Sequence, residues 1–259
     1  MNLKQRLALG EAVNGIMLSE LYTPNIARIL ANCGYDFLLV DCEHGYFDMT
    51  QIANLAAVAE GCRLPVIVRV SFENLGAVTK YLDLGARGIL LSNVEDASQA
   101  AALIEQCLYA PEGDRGVSTF RAHTNYRKGN MTDIMREANQ QNLVIAQLES
   151  PDAIERMNEI VSLPGLDGVL VGPNDLTQRM HMIGQYQHPQ VLSLLQRVRN
   201  ISAQYGKWSG VITNDIPLLR TCWQMGMTCF SAGSELHALY SGASENYAQL
   251  RALQREQDA

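Results

Sequence analysis

Two acidic residues follow apolar runs that have the character of buried strands. Glu149 comes directly after the run at 143–148, and Asp175 lies shortly after the next run, at 167–171. Two carboxylates leave most of the octahedron of Mg²⁺ or Mn²⁺ open to water and to a chelating substrate. The same positions would suit residues that cap the helices that follow. The sequence therefore leaves a metal site and a capping role both open.

A histidine with acidic neighbours follows another apolar run. His44 belongs to the segment DCEHG at 41–45, in which Asp41 ends the run and Gly45 frees the turn. A carboxylate within reach of an imidazole fixes its tautomer and raises its basicity, so His44 is a candidate general base with Asp41 as its partner. The alternative is a histidine that bonds only to the main chain of its loop.

Two further polar residues occupy strand positions. Arg69 closes the run PVIVRV, where its permanent charge could stabilise an oxyanion or could simply balance nearby carboxylates. Gln147 is two residues before Glu149, so the two side chains would point to the same face of one strand. We expect Gln147 either to bond a substrate oxo group or to satisfy a polar group in the core.

The remaining histidines and the two tryptophans carry weaker signals. The histidines lack the spacing of metal ligands, so we expect surface or capping roles for them; they are His123, His181, His188 and His237. Trp208 and Trp223 are expected to lie in the core.

These chemical groups depend on an alternation of strand-like and helix-like segments. The predicted strands are nearly continuous Val, Ile and Leu runs at 14–19, 37–42, 65–70, 88–92, 143–148, 167–171, 208–212 and 228–232. Segments of helical spacing lie between or after them at 25–33, 50–60, 74–83, 97–109, 131–140, 153–162, 190–204, 216–225 and 234–254. Strands covered on both faces have this composition. Eight such pairs predict a single α/β domain over residues 1–259, a (β/α)₈ TIM barrel whose strand ends carry the site.

Composition excludes several classes of protein. The chain has 259 residues, a net charge of −7, 47% hydrophobic and 18% charged residues, which argues against nucleic-acid binding and against disorder. It has no apolar run long enough to span a membrane and no recognisable signal peptide, so a cytoplasmic location is expected. The six cysteines form no CxxC pair and are interpreted as reduced, mostly core, residues.

Six spaced motifs resemble the HpcH/HpaI family of metal-dependent class II aldolases. They are DCEHG at 41–45, VRV at 68–70, YLDLGARGI at 81–89, YAPEGDRGV at 109–117, QLES at 147–150 and DGVLVGPNDLT at 167–177. The resemblance implies a barrel of the phosphoenolpyruvate/pyruvate superfamily, enolate chemistry on pyruvate or a related 2-oxo acid, and a homo-oligomer. That oligomer would be a hexamer, with the last helix swapped between neighbouring subunits.

The resemblance also implies roles at the reaction centre. Glu149 and Asp175 would bind a divalent ion, which could be Mg²⁺, Mn²⁺ or Co²⁺. Arg69 would stabilise the enolate, and His44 with Asp41 would move the proton of the C4 hydroxyl. No Schiff-base lysine is required, and none of the four lysines follows a predicted strand.

Other roles implied by the resemblance concern the substrate. Gln147 would contact the 2-oxo acid, whose carboxylate would lie against main-chain N–H groups near Gly172, Asn174 and Asp175, an arrangement typical of a helix start. Asp83 matches an acid that reaches the site of a neighbouring subunit.

The sequence departs from the family pattern at three places. Ser71 and Ser92 stand where many members have proline, and the loop formed by 118–126 and Arg127 is rich in polar and cationic groups. Arg121, His123 and Arg127 in that loop could bind a polyanionic partner, so we expect a second substrate that is not a plain aldehyde.

Two alternatives remain open at this point. The first is an aldolase-derived citrate synthase of siderophore biosynthesis, which would condense oxaloacetate with acetyl-CoA. The second is a non-catalytic barrel that binds a metabolite or a protein, for which degraded polar strand ends would be expected.

Overall fold

Eight parallel strands close into a barrel in chain order in this computed structural model, which describes residues 1–257. The strands are β1 (Val13–Leu18), β2 (Phe37–Asp41), β3 (Val66–Val70), β4 (Gly88–Leu91), β5 (Leu143–Leu148), β6 (Gly168–Val171), β7 (Trp208–Thr213) and β8 (Cys229–Ser234). Every predicted strand is present within two residues of its predicted bounds. The predicted (β/α)₈ barrel is confirmed.

The helices surround this barrel and connect its strands. They are α1 (Leu3–Ala8), α2 (Ile26–Asn32), α3 (Met49–Gly61), α4 (Val78–Asp83), α5 (Ala97–Cys107), α6 (Met131–Gln141), α7 (Pro151–Val161), α8 (Pro173–Arg179), α9 (Pro189–Gln204), α10 (Ile216–Gln224) and α11 (Glu235–Gln257). The helix α1 was not predicted, and the predicted helix at 74–83 is divided into a 3₁₀ turn at 72–77 followed by α4. None of these helices is both long and apolar enough to cross a bilayer.

Short polar side chains fix where several helices begin. Asp48, Ser150 and Asp215 precede α3, α7 and α10, and each side chain accepts a hydrogen bond from a main-chain N–H of the first turn. Such caps satisfy donors that have no partner within the helix. The caps therefore fix where each helix starts after its strand.

The inside of the barrel is filled by large side chains opposite glycines. A Cβ atom on Gly15 would lie 2.2 Å from the Phe37 ring, and one on Gly168 would lie 2.2 Å from the Trp208 indole. Trp208 is 8% exposed, as predicted for a core residue. This packing fills the amino-terminal part of the barrel interior, and a cavity opens at the carboxyl ends of the strands.

Two sequence expectations differ from the structure. Trp223 is 57% exposed, because it lies on the outer side of α10 beside Phe230 rather than in the core. All six cysteines are free, but only Cys107, Cys222 and Cys229 are buried.

The last helix extends away from the barrel. Within α11, residues from 237 to 255 are all exposed, and they include large apolar side chains such as Leu239, Tyr247 and Leu250. The outer face near β8 is left with the exposed side chains of Ile216 and Trp223.

Candidate active site

A cavity of about 290 Å³ opens at the carboxyl ends of the strands. Seven of the predicted site residues line it: His44, Arg69, Gln147, Glu149, Gly172, Asn174 and Asp175. These residues lie on or just after strands that are far apart in the sequence. Closure of the barrel brings the ends of those strands together. This is the end of the barrel that carries active sites in enzymes of this fold.

Glu149 is a buried carboxylate at the end of β5. It is 2% exposed, and its Oε1 and Oε2 accept hydrogen bonds from Gln147 Nε2 at 2.7 Å and from the main-chain N–H of Asn93 at 2.9 Å. Burial raises its pKa to about 7 against the opposing effect of the Asn93 N–H, and the charges of Asp175 and Glu43 raise it further. A cation beside this buried carboxylate would stabilise its ionised form.

The structure excludes the capping roles that the sequence left open. The N-cap of α7 is Ser150, whose Oγ accepts from the N–H of Ala153, so Glu149 is not the cap. The N-cap of α8 is Gly172, and Asp175 lies inside the first turn. Both acids are therefore free of a capping function, and both line the cavity.

Gly172 has a steric role that the sequence did not predict. A Cβ at this position would lie 2.2 Å from Glu149 Oε1, so only glycine leaves room for that carboxylate. Its N–H donates to the carbonyl of Leu148 at 3.3 Å and is not free for a substrate carboxylate, contrary to expectation. The side chain of Asn174 is held by the Tyr186 hydroxyl, which donates to its Oδ1 at 2.5 Å.

The donor set at Glu149 and Asp175 suits a hard divalent cation. Among residues 1–257 no group of three or more His, Cys, Asp or Glu side chains is arranged around a single metal position. Two carboxylates are nevertheless enough for an ion such as Mg²⁺, which commonly keeps several waters and takes other oxygens from its substrate. A cation would also offset the cost of burying Glu149.

Arg69 and Asp41 form a buried ion pair. Arg69 Nε donates to Asp41 Oδ1 at 2.9 Å and Nη2 donates to Oδ2 at 2.5 Å, with exposures of 8% and 2% for the two residues. Burial by itself raises the pKa of Asp41, but the hydrogen bonds and charge of Arg69 outweigh it, so the pKa lies below its ordinary value. Asp41 therefore stays ionised and fixes the guanidinium.

The imidazole of His44 does not have the predicted partner. Asp41 Oδ1 accepts the main-chain N–H of His44 at 3.2 Å, whereas the carboxylate beside the ring is that of Glu43, with Oε2 at 3.8 Å from Nε2. The His44 side chain is 73% exposed. Asp41 thus shapes the turn that carries the histidine, because its charge is already used by Arg69.

Glu43 lies between the side chains of Arg69 and His44. It was not among the predicted site residues. Its Oε2 is 3.4 Å from Arg69 Nη1, and its Oε1 accepts a hydrogen bond from Ser92 Oγ at 2.7 Å. Its place within the segment DCEHG was the only signal in the sequence. Ser92 had been noted only as a departure from the family pattern.

Gln147 offers a free acceptor to the cavity. Its Nε2 donates to Glu149, while its Oε1 has no hydrogen-bond partner among the described residues although the side chain is 1% exposed. A buried polar atom without a partner is costly, and a bound ligand with a donor would satisfy it.

Asp83 and Arg121 lie outside the cavity. They line a second depression on the protein surface, where Asp83 Oδ1 accepts from Arg115 Nη2 at 2.6 Å. Arg121 is exposed and donates from Nε to Ser118 Oγ at 2.9 Å. Arg127 is paired with Glu137 at 2.7 Å. Within one chain, the cationic loop is not part of the site at the strand ends.

His123 was predicted to lie on the surface, but the structure buries it. It is 6% exposed, its Nε2 is 3.3 Å from the Tyr109 hydroxyl, and its Nδ1 is 3.8 Å from Asp83 Oδ1. Burial, with the charge of Arg115, lowers its pKa to about 4. The segment 111–130 folds back against the barrel and buries this ring as a neutral group.

Cys42 is not a reactive thiol, although its neighbours are charged. Burial raises its pKa to about 11, so the thiol stays protonated at neutral pH. Cys42 does not line the cavity.

The polar strand ends that a non-catalytic barrel would lack are present in this chain. The two acids, Arg69 and His44 line a single cavity. This arrangement can hold a cation, stabilise an oxyanion and move a proton within one volume.

The chain is similar in sequence to known proteins. Residues 16–241 match the HpcH/HpaI aldolase/citrate lyase family. A hydroxypyruvate/pyruvate aldolase of Roseobacter denitrificans is 32% identical over 226 residues, which is 86% of this chain and 86% of the relative.

Crystal structures extend the likeness to three dimensions. An HpcH/HpaI aldolase from Desulfitobacterium hafniense DCB-2 has a TM-score of 0.90 and 29% identity, covering 97% of each chain. The citrate synthase SbnG has a TM-score of 0.86 and 28% identity, covering 100% of this chain and 99% of its own.

Proposed function

This chain belongs to the HpcH/HpaI aldolase/citrate lyase family, and from that premise we propose that it is a divalent-metal-dependent lyase that cleaves and forms 4-hydroxy-2-oxo acids. The observation that carries the proposal is the convergence of Glu149, Asp175, Arg69 and His44 on one cavity. A hydroxypyruvate/pyruvate aldolase among its relatives supports the same reaction class.

Glu149 and Asp175 are the residues that would hold the cation, which would be Mg²⁺, Mn²⁺ or Co²⁺. Bound by these two residues, a divalent ion would supply Lewis-acid polarisation of the oxo group of a 2-oxo acid, which would ease the breaking of bonds at C3. Gly172 keeps the space that the Glu149 carboxylate needs.

Arg69 would stabilise the negative charge that develops on the oxo oxygen. Its orientation is set beforehand by Asp41 and Glu43, so little reorganisation is needed during the reaction. Gln147 Oε1 and the first main-chain N–H groups of α8, at Asn174 and Asp175, remain for the rest of the acid.

His44 would transfer the proton. In cleavage its ring takes the proton of the C4 hydroxyl, the C3–C4 bond breaks, and the electron pair moves into the enolate beside Arg69. The enolate takes a proton from water at C3, which gives the shorter 2-oxo acid, and His44 releases its own proton to solvent. In synthesis the same ring returns the proton to the new C4 oxygen.

A metal-dependence assay tests the proposal. Pyruvate release from a 4-hydroxy-2-oxo acid should require added Mg²⁺ or Mn²⁺, and Glu149→Gln and Asp175→Asn should abolish it. Activity that survives either substitution or excess EDTA would show that the site is wrongly assigned. His44→Ala should lose turnover and keep metal binding, whereas lost metal binding would make the histidine a ligand.

A citrate synthase reaction is the second candidate, favoured by the likeness to SbnG. It would use the same cavity to join oxaloacetate and an acetyl thioester. Incubation of the protein with a divalent metal, oxaloacetate and acetyl-CoA should then release citrate and free thiol. No thiol release would remove this candidate.

The exposed apolar side of α11 supports a homo-oligomer. Its apolar side chains match the uncovered face near Ile216 and Trp223, where a closed barrel would ordinarily have its last helix. We propose that α11 of one copy covers this face of another, in a hexamer by family resemblance. The position of Asp83 outside its own cavity supports a role in a neighbouring site. Light scattering should give a mass well above one chain, and Trp223→Asp should lower it.

A further inference from the structure

Three polar side chains outside the cavity form one network, which consists of Asn93, Glu95 and Arg179. Asn93 and Glu95 lie in the loop between β4 and α5, and Arg179 is the last residue of α8, whose first turn contains Asp175. Arg179 Nη2 donates to Asn93 Oδ1 at 2.8 Å, and its Nη1 forms an ion pair with Glu95 Oε1. None of the three residues lines the cavity.

Asn93 contacts the Glu149 side of the site. Its main-chain N–H donates to Glu149 Oε2 at 2.9 Å, and its Nδ2 donates to Glu43 Oε1 at 3.4 Å. Its main chain is left-handed, with φ 50°, a conformation that asparagine adopts more readily than most residues with a Cβ. The main chain of Asn93 therefore orients one acid of the site, while its side chain is bonded to both Glu43 and Arg179.

Glu95 connects the network to the strand end that carries Glu149. Its Oε2 accepts a hydrogen bond from Ser150 Oγ at 2.7 Å, and Ser150 directly follows Glu149 and caps α7. The other oxygen of Glu95 is the one paired with Arg179. Because both oxygens are bonded, this carboxylate ties α8 to the end of β5.

Arg179 contacts the same loop from the Asp175 side. It is four residues after Asp175 in α8, so the two side chains lie on one face of the helix, one turn apart. Its planar guanidinium is bonded through two nitrogens, to Asn93 and to Glu95, which leaves it little freedom to rotate. Since α8 has only seven residues, fixing its last residue also fixes the turn that carries Asp175.

The partial exposure of this network argues against a large role in the stability of the fold. The side chains of Arg179 and Glu95 are 43% and 30% exposed. Ion pairs as exposed as this one contribute little to the free energy of unfolding. The same contacts can still matter for a metal site, because loss of the groups that orient its ligands commonly lowers metal affinity about 10- to 100-fold.

Ligands held in fixed positions discriminate between divalent cations. Mg²⁺ requires oxygens at about 2.0–2.1 Å in nearly ideal octahedral geometry, whereas Ca²⁺ accepts oxygens at about 2.3–2.6 Å in flexible arrangements. Two carboxylates that become free to move therefore lose affinity for the smaller ion more than for the larger one.

We propose, resting on the metal-dependent function above, that Asn93, Glu95 and Arg179 are positioning residues for the metal site. They fix the carboxylates of Glu149 and Asp175 relative to each other, and the site thereby selects Mg²⁺ over Ca²⁺. Asn93 and Glu95 act on the end of β5, and Arg179 acts on α8. All three act through the two acids and not by contact with the reacting atoms.

Cation binding to the full chain tests this proposal without a measurement of activity. Mn²⁺ binding is followed by the EPR signal of the free ion, and Mg²⁺ and Ca²⁺ binding by their displacement of Mn²⁺. Arg179→Gln and Asn93→Gly should each lower the affinity for Mn²⁺ and Mg²⁺ about tenfold, and that for Ca²⁺ by less than about twofold. Glycine tolerates the left-handed main chain at position 93, so this variant removes only the side-chain bonds.

A double variant distinguishes one network from two independent contacts. Arg179→Gln combined with Glu95→Gln should bind Mg²⁺ within about twofold of the weaker single variant, because either change breaks the same ion pair. Losses that multiply in the double variant would show that the two residues act separately, which would overturn the network.

Arg136→Gln is the matched control. Arg136 also forms an exposed ion pair, at 2.6 Å from Asp133, but it lies on α6 and does not line the cavity. This variant should bind all three cations as the wild type does. Unchanged Mg²⁺ affinity in Arg179→Gln or Asn93→Gly, equal losses for Mg²⁺ and Ca²⁺, or the same loss in the control would overturn the inference. Wild-type protein that binds no Mn²⁺, or Glu149→Gln protein that binds it normally, would overturn the metal site itself, and this inference with it.

Discussion

Ser92 Oγ donates a hydrogen bond of 2.7 Å to Glu43 Oε1, although the two residues are 49 positions apart in the chain. The other oxygen of Glu43 is 3.4 Å from Arg69 Nη1 and 3.8 Å from His44 Nε2. A serine at the end of β4 thereby sets the orientation of the carboxylate that lies between the two basic groups of the site.

Ser92→Ala should reduce catalysis without affecting metal binding. Glu43 would lose its fixed orientation and Arg69 a part of its support, so we expect kcat to fall about tenfold, the effect of one hydrogen bond to a charged group. Affinity for Mn²⁺, measured by calorimetry, should stay the same. Ser209→Ala, on the outward side of β7, is the control and should keep wild-type kcat. An unchanged kcat in Ser92→Ala would show that Glu43 needs no orienting partner.

Gly172→Ala should abolish activity by steric conflict. The added Cβ would lie 2.2 Å from Glu149 Oε1 and 2.8 Å from Gln147 Nε2, so the carboxylate must move. We expect Mn²⁺ affinity to fall at least about tenfold, as when the groups that orient a metal ligand are lost. Gly116→Ala, which has open space around the new Cβ, should bind as the wild type does. Wild-type affinity in Gly172→Ala would contradict a role for Glu149 in holding the metal.

The metal-free protein should lose stability as the pH rises through neutrality. The Glu149 pKa of about 7 is above its unfolded value of 4.5, so the folded state retains a proton that the unfolded state releases. The contribution is fully present below pH 4.5 and is lost as the pH rises through 7, up to about 3 kcal/mol. Urea unfolding with EDTA at pH 5 and 8 should show this loss, and Glu149→Gln should remove it. The same loss in the variant would assign it to another group.

His123 should make the protein acid-sensitive. Its pKa of about 4 is below the unfolded value of 6.5, so the unfolded state takes up a proton first as the pH falls. Its contribution, up to about 3 kcal/mol, is present above pH 6.5 and is lost as the pH falls through 4. The free energy of unfolding of His123→Gln, compared at pH 7.5 and 4.5, should change less than that of the wild type. Equal changes would mean that the ring is not buried as a neutral group.

The larger part of the fold and seven of the residues around the cavity could be predicted from the sequence. Alternating apolar runs and helical segments specify a parallel barrel, and a barrel brings every strand end to one face. Glu149, Asp175, Arg69 and His44 follow from that topology, since each stands at or just beyond the end of a strand.

The partners of these residues could not be predicted in the same way. Asp41 was expected beside the imidazole of His44, yet the register of β2 with β3 sets Asp41 directly opposite Arg69. Glu43 remains beside the ring because the turn that Asp41 holds directs it there. Trp223 was expected in the core but is exposed, and His123 was expected on the surface but is buried. Burial depends on which segments of the folded chain cover a side chain, and the local sequence does not show this.

By itself, the sequence determined the barrel, the acids at neighbouring strand ends and the resemblance that carries the enolate chemistry. The tertiary structure alone decided which carboxylate each base contacts, that Ser92 bonds to Glu43, and that Asp83 and Arg121 lie outside the cavity of their own chain. The physical reason is the sequence separation over which each property acts. Hydrophobic periodicity is a local property that can be read along the chain. Hydrogen bonds and burial depend instead on distances between residues that folding alone brings together.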